Sequence, residues 1–150
     1  MTTVPNSPTV RRATPADHVA VRALLAASDL PLVGIPDDLA HFLVAESNGT
    51  LVGAIGLEVY GSAALLRSAV VHPSRRGSGT GEALVHALLA HAHALGVTDV
   101  ALLTTTADSW FPRFGFVRVE RHSLPAAVFA SEELKGACPA TAVAMQLKLM

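Results

Sequence analysis

Val70-Val71-His72-Pro73-Ser74-Arg75-Arg76-Gly77-Ser78-Gly79-Thr80-Gly81-Glu82-Ala83-Leu84 is the stretch on which the reading of this 150-residue chain turns. It begins as the end of an apolar run, Ala64 to Val71, expected to be a strand. It crosses a Pro- and Gly-containing loop, His72 to Thr80, and enters a long helix expected from Gly81 to Leu95. Glycines let a backbone turn tightly and aim several N–H groups at one point. The start of the helix adds the positive end of its dipole, and Arg75 and Arg76 add charged donors. Such a loop suits a phosphate or pyrophosphate. A P-loop needs a lysine after its last glycine, and none stands here. A dinucleotide fingerprint needs a sixth-position glycine, and counting from Gly77 or Gly79 gives Glu82 or Leu84. What fits is R-x-x-G-x-G, read at Arg76, Gly79 and Gly81. An ordinary helix-initiating turn can be built from the same residues, so the loop by itself leaves both readings open.

Outward from the loop, the pattern is regular. Upstream, His41 to Glu46 and Leu51 to Tyr60 are strand-like runs around Asn48-Gly49, the dipeptide favoured in a two-residue hairpin. Gly61-Ser62 turns into the third strand, giving an antiparallel meander. Before it, Thr9 to Arg12 reads as a strand. Thr14-Pro15-Ala16-Asp17 supplies a cap, a first-turn proline and an acidic residue for a helix fading near Ser28. A short helical turn is expected around Asp37 to Ala40. Downstream, Leu84, Leu88 and Leu95 share one face of the long helix, and Gly96 closes it. Val100 to Leu103 is a short continuous apolar run of the kind found in central parallel strands. Strand, helix and strand make a βαβ unit. A short helix near Ser109 to Phe114, a strand Phe116 to Arg121, a helix around Ala126 to Leu134 and a last strand Thr141 to Leu149 complete the expectation. The fold class is mixed α/β: a mostly antiparallel central sheet with a splayed parallel pair, flanked by helices.

Composition narrows the functions. Hydrophobic residues at 51% and charged residues at 15% describe a globular chain, and a net charge of -1 lacks the basic footprint of nucleic-acid binding. One cysteine, Cys138, permits no internal disulfide and fits a reducing compartment. The longest uncharged stretch, Ala83 to Thr98, is too short for a membrane span and carries three histidines. Met1 to Pro8 lacks the marks of a secretory signal and reads as a frayed tail before one domain, residues 9–150. A soluble cytoplasmic protein with neither membrane nor nucleic-acid partners is expected.

With Trp110-Phe111-Pro112-Arg113-Phe114-Gly115-Phe116 standing after the parallel strand, the order of features resembles the GNAT N-acetyltransferases from about Val10 to Leu149. The resemblance implies acetyl-CoA as cosubstrate, held by Arg75, Arg76, Gly77, Ser78, Gly79, Thr80 and Gly81. It also implies that the backbone of Ala69, Val70 and Val71 pairs with the pantetheine arm, the strand Val100 to Thr104 diverging to admit it. A pair of chains is the family expectation. Leu102-Leu103-Thr104-Thr105-Thr106-Ala107 with Trp110-Phe111 and Leu124-Pro125 are similar to the acetyltransferase domain of N-acetylglutamate synthase. Leu66-Arg67-Ser68, the same threonine run and Cys138-Pro139 resemble more closely the acetyltransferases associated with arsenic-resistance operons. Both imply an amino group on a small amino-acid-like molecule. A peptide or protein acceptor, or a CoA-binding module without catalysis, are the alternatives.

Acetyl transfer needs a base for the ammonium proton and a donor for the thioester oxygen. Glu58, near the end of the second meander strand, is the candidate base, against a plain solvated carboxylate. A backbone N–H of the Val70 strand is the candidate donor. Phe111 stands where many family members carry a tyrosine general acid, so that role is unassigned, with Tyr60 or water able to serve. Arg67, with Ser68, is the candidate substrate site, its guanidinium suited to a carboxylate or oxyanion; a solvent-facing strand arginine is the alternative. His86 and His93 lie about 10 Å apart along a helix, too far to share an ion, and no metal is expected. Cys138 reads as a buried small side chain, with a place beside the substrate as its alternative.

Overall fold

A computed structural model describes residues 8–137 and 141–149; Cys138 and Pro139 lie outside them. Among the described residues, seven strands form one sheet in the order β1-β2-β3-β4-β5-β7-β6, antiparallel except for the β4–β5 pair. The strands are β1 (Thr9–Arg12), β2 (Phe42–Ser47), β3 (Thr50–Tyr60), β4 (Ala63–Val71), β5 (Asp99–Thr104), β6 (Val117–Val119) and β7 (Val143–Lys148). Two α-helices are described, α1 (His18–Ala27) and α2 (Thr80–Ala94). The mixed α/β class is as the sequence reading has it. By contacts the chain divides into two compact units: residues up to Gly56 with Ser68–Ala90, and Leu57–Arg67 with the residues from His91 onward.

In the first unit, the hairpin between β2 and β3 turns at Asn48 and Gly49, whose φ of 52° and 78° are the paired positive values of a type I′ turn. The register then slips: Ala45 faces Gly53 but Glu46 faces Leu51, leaving Val52 as a bulge. The Val52 carbonyl accepts the His72 N–H at 2.7 Å and so pins the start of the glycine loop. The start of α1 is braced by Asp17, whose carboxylate accepts from the Thr14 N–H at 2.7 Å and from Arg11 at 2.9 Å. Val21 and Leu25 of α1 join Ile35, Leu39, Phe42, Val44, Ala54 and Val70 in the core. Gly53 lets α2 approach the sheet: a Cβ there would sit 3.0 Å from the Leu84 side chain and 3.1 Å from the Val70 carbonyl.

In the second unit, Ala63–Leu65 of β4 run parallel to Asp99–Ala101 of β5. β5 pairs along its whole length with β7, and β7 with β6. Ala63, Leu65, Ala101, Leu124, Val128 and Ala144 form the core, with Tyr60, Leu103, Val119 and Leu134 against it.

Several expected elements come out differently. Asp37 to Ala40 is a turn rather than a helix. The expected helix Ala126 to Leu134 is a 3₁₀ turn, Ala126–Ala130, and a π turn, Glu133–Ala137, because extended backbone at Ser131 (φ -68°, ψ 140°) interrupts it. The aromatic segment makes a single 3₁₀ turn, Phe111–Phe114, stopped by left-handed Gly115. Leu95 falls beyond the end of α2, at the turn closed by Gly96 (φ 85°), and is exposed; the buried face is Leu84, Val85, Leu88 and Ala92.

Candidate functional site

The glycine loop is built from local bonds. Pro73–Arg75 form a 3₁₀ turn capped by His72, whose Nδ1 accepts from the Ser74 N–H at 3.1 Å. Gly77 and Gly79 then take φ of 80° and 88°, the left-handed region that disfavours other residues. A Cβ at either would meet nothing within 4 Å. The glycines are therefore required by backbone conformation, and the surface above them is open to a ligand. At this end of α2 the Ala83 N–H donates to the Gly79 carbonyl at 3.0 Å. The amides of Thr80 and Gly81 belong to the first turn, where the N–H groups have no partner within the helix. Buried Thr80 shares a hydrogen bond with Ser78 at 2.8 Å, and the Ser78 hydroxyl also donates to the Arg75 carbonyl.

The two arginines behave differently. Arg75 Nη2 donates to Ser47 Oγ at 2.7 Å, tying the loop to the end of β2. Arg76 is exposed, its Nε donating to the Val71 carbonyl at 3.2 Å. A diphosphate fits this set: left-handed glycines on an open surface, first-turn amides and two guanidinium groups.

β4 leads into that loop. Its parallel ladder to β5 spans three residues and ends at Leu65 and Ala101, although β4 runs on to Val71. Ser68, buried in mid-strand, has φ of 60°. A non-glycine residue in that region is uncommon and costs energy; here it re-aims the backbone just ahead of Ala69, Val70 and Val71.

Glu58 and Arg67 meet in the second unit. Arg67 Nη1 donates to Glu58 Oε2 at 2.6 Å, and its Nε lies 3.4 Å from Glu133 Oε2. The Arg67 side chain is 0% exposed, Glu58 14% and Glu133 5%. Tyr60 donates its hydroxyl to Glu58 Oε1. Ser131 is hydrogen-bonded to the Tyr60 oxygen, and its own Oγ accepts the Glu133 N–H at 3.1 Å. Glu58, Tyr60, Ser131, Glu133 and Arg67 thus close a ring. Burial first, and then the Glu58 carboxylate, push the Tyr60 hydroxyl up to about 12, against smaller opposing effects of Ser131 and Arg67.

Sequence reasoning placed Glu58 and Arg67 but gave them separate tasks, and it missed Ser131 and Glu133. Their signal was a serine and a glutamate two apart inside a segment taken for a helix. Phe111 is buried, its ring edge-on to Trp110 at 5.0 Å and to Phe116 at 5.6 Å. Among the described residues, no group of three or more His, Cys, Asp or Glu side chains is placed to hold a metal, and no helix is long and apolar enough to cross a membrane.

The chain is similar to known proteins. The family model of the acetyltransferase (GNAT) domain matches residues 38–118, more than half of the chain. The amino-acid acetyltransferase of Ralstonia nicotianae is 34% identical over 90 residues, covering 59% of this chain and 20% of that protein. This chain spans about a fifth of the length of the curated relatives it matches. Among solved structures, Rv2747 from Mycobacterium tuberculosis, in complex with CoA and NLQ, superposes with a TM-score of 0.80 at 27% identity, over 95% of this chain and 100% of that one. N-acetylglutamate synthase from Neisseria gonorrhoeae, complexed with coenzyme A and N-acetyl-glutamate, shares the fold with a TM-score of 0.80 at 21% identity, over 95% of this chain and 35% of its own.

Proposed function

The chain belongs to the GNAT acetyltransferase family, and on that footing we propose that it transfers the acetyl group of acetyl-CoA to the amino group of a small amino-acid-like molecule. The observation that carries this reading is the loop His72 to Gly81, with two left-handed glycines on an open surface at the head of α2. Amides of the loop and of the first helical turn hold the diphosphate, with Arg75 and Arg76 adding charge. The backbone of Ala69, Val70 and Val71 takes the pantetheine arm as an added strand, which the short β4–β5 ladder supports. Bound acetyl-CoA supplies the activated thioester. An N–H of this strand steadies its carbonyl oxygen, and Glu58 takes up the proton of the incoming ammonium.

Arg67 enters this reading as the residue that positions Glu58, not as the anchor of a substrate carboxylate, because its Nη1 and Nε are occupied by Glu58 and Glu133. Ser68 serves through its backbone bend. The curated relatives act as amino-acid acetyltransferases and one solved neighbour carries N-acetyl-glutamate, which supports an amino-acid acceptor. The resemblance of Leu66-Arg67-Ser68 to arsenic-resistance-operon acetyltransferases adds toxic amino-acid analogues to the class.

Release of free thiol from acetyl-CoA, measured against a panel of amino acids, their arsenic-containing analogues and short peptides, tests the proposal. Turnover with a small amine is expected. Turnover with peptides alone would give the protein a macromolecular acceptor instead. CoA binding with no turnover on any acceptor would make it a regulatory module.

A further inference from the structure

The ring around Arg67 sets the carboxylates of Glu58 and Glu133 on one guanidinium in a largely desolvated setting. Such a site draws a cation and opposes a second anion. An amine substrate therefore meets the ring as its ammonium. Glu58 already takes part in two hydrogen bonds of the ring. Its Oε1 is held by the Tyr60 hydroxyl and its Oε2 by Arg67. The Tyr60 oxygen donates to Glu58, accepts from Ser131 and keeps acceptor capacity for a further donor, so it offers a ready path to Glu58.

We propose that Tyr60 is a catalytic residue, accepting the proton of the substrate ammonium on its oxygen while passing its own hydroxyl proton to Glu58. This rests on the acetyl-transfer reading above and goes beyond it. The step balances within the chain. The substrate N–H bond breaks as a new O–H bond forms on Tyr60, and the old Tyr60 O–H bond breaks as Glu58 Oε1 gains the proton. The products are a neutral amine, a neutral tyrosine and a neutral Glu58. Glu58 returns its proton to water before the next turnover. The hydroxyl's resistance to ionisation suits this role, since Tyr60 stays protonated through neutral pH and relays a proton without standing as a phenolate. Ser131 and Glu133 are positioning residues: one orients the phenol, the other shares Arg67.

The test uses the full chain, measuring kcat/KM for the best acceptor in wild type, Tyr60→Phe, Glu58→Gln and the double variant, with CoA affinity and Tm alongside. Tyr60→Phe is expected to lose about 100-fold with CoA affinity unchanged, and the double variant to be no slower than the worse single one. Because a variant can fail to fold, a proton inventory in mixed light and heavy water is run on the wild-type enzyme. A bowed plot, from two protons moving together, is expected. A linear one-proton inventory, or a folded Tyr60→Phe within twofold of wild type, overturns the role of Tyr60 and leaves acetyl transfer standing. A wild type without turnover on any acceptor removes both.

Discussion

Two arginines in this protein are each flanked by two carboxylates, and the settings differ. Arg11 of β1 donates to Asp17 at 2.9 Å and to Glu46 at 2.9 Å with its side chain 34% exposed. Arg67 of β4 bridges Glu58 and Glu133 with none of its side chain exposed. At the first site water screens the charges, and the pairs brace the start of a helix. At the second, the guanidinium has given up its hydration and depends on its partners. The same composition thus yields a modest clamp in one place and a desolvated, mutually dependent unit in the other.

Removing each arginine is the sharpest way to break that comparison. Arg67→Leu removes the guanidinium shared by part-buried Glu58 and buried Glu133 and is expected to cost about 3–5 kcal/mol, a fall in Tm of roughly 10 °C for a chain this size. Arg11→Leu should cost about 1 kcal/mol. Equal losses in thermal melts would show that burial does not separate the two sites.

The pH dependence sharpens the contrast. The Arg11 hydrogen bond, ahead of the cost of burial and with help from the Thr14 N–H, holds Asp17 down to about 2 from an ordinary 3.8. A depressed carboxylate contributes stability that is complete above the ordinary value and is lost as pH falls through the folded one. Asp17→Asn is therefore expected to be less stable than wild type by about 2 kcal/mol at pH 7, with the gap closing between roughly pH 4 and pH 2. Denaturant melts across that range check it, and a gap that stays constant would contradict the assignment. The smallest effect is expected at the loop's strut. Ser47→Ala removes the acceptor of Arg75 Nη2 and should weaken CoA binding a few-fold, since a hydrogen bond of this kind contributes about 1 kcal/mol.

What could be read from the sequence was what neighbouring residues impose on one another. Asn48-Gly49 announces its turn because two adjacent residues must take positive φ. Thr14 to Asp17 announces its helix start because the cap and the carboxylate are three residues apart. The glycine loop is legible for the same reason, although the cause is backbone conformation rather than crowding, since a Cβ at Gly79 would touch nothing. The ring was only half legible. Glu58 and Arg67 were visible as odd residues in apolar strands, but Glu133 lies 66 positions beyond Arg67. The serine that links it to Tyr60 sits where extended backbone breaks an expected helix. Partnership between side chains so far apart is decided by packing, and periodicity carries no trace of it. The insertion of β7 between β5 and β6 is a long-range choice of the same kind.

The account stands on the loop as a diphosphate cradle, and a calorimetric titration of CoA into wild type and Gly79→Asp tests it most directly. The substitution places a side chain at φ of 88° and a carboxylate beside the phosphates, where a Cβ meets no atom within 4 Å. Wild type is expected to bind CoA, and a folded Gly79→Asp with a Tm within a few degrees of it to bind at least roughly 30-fold more weakly, about 2 kcal/mol. Equal affinities in the two proteins would place the cofactor elsewhere and contradict the reading.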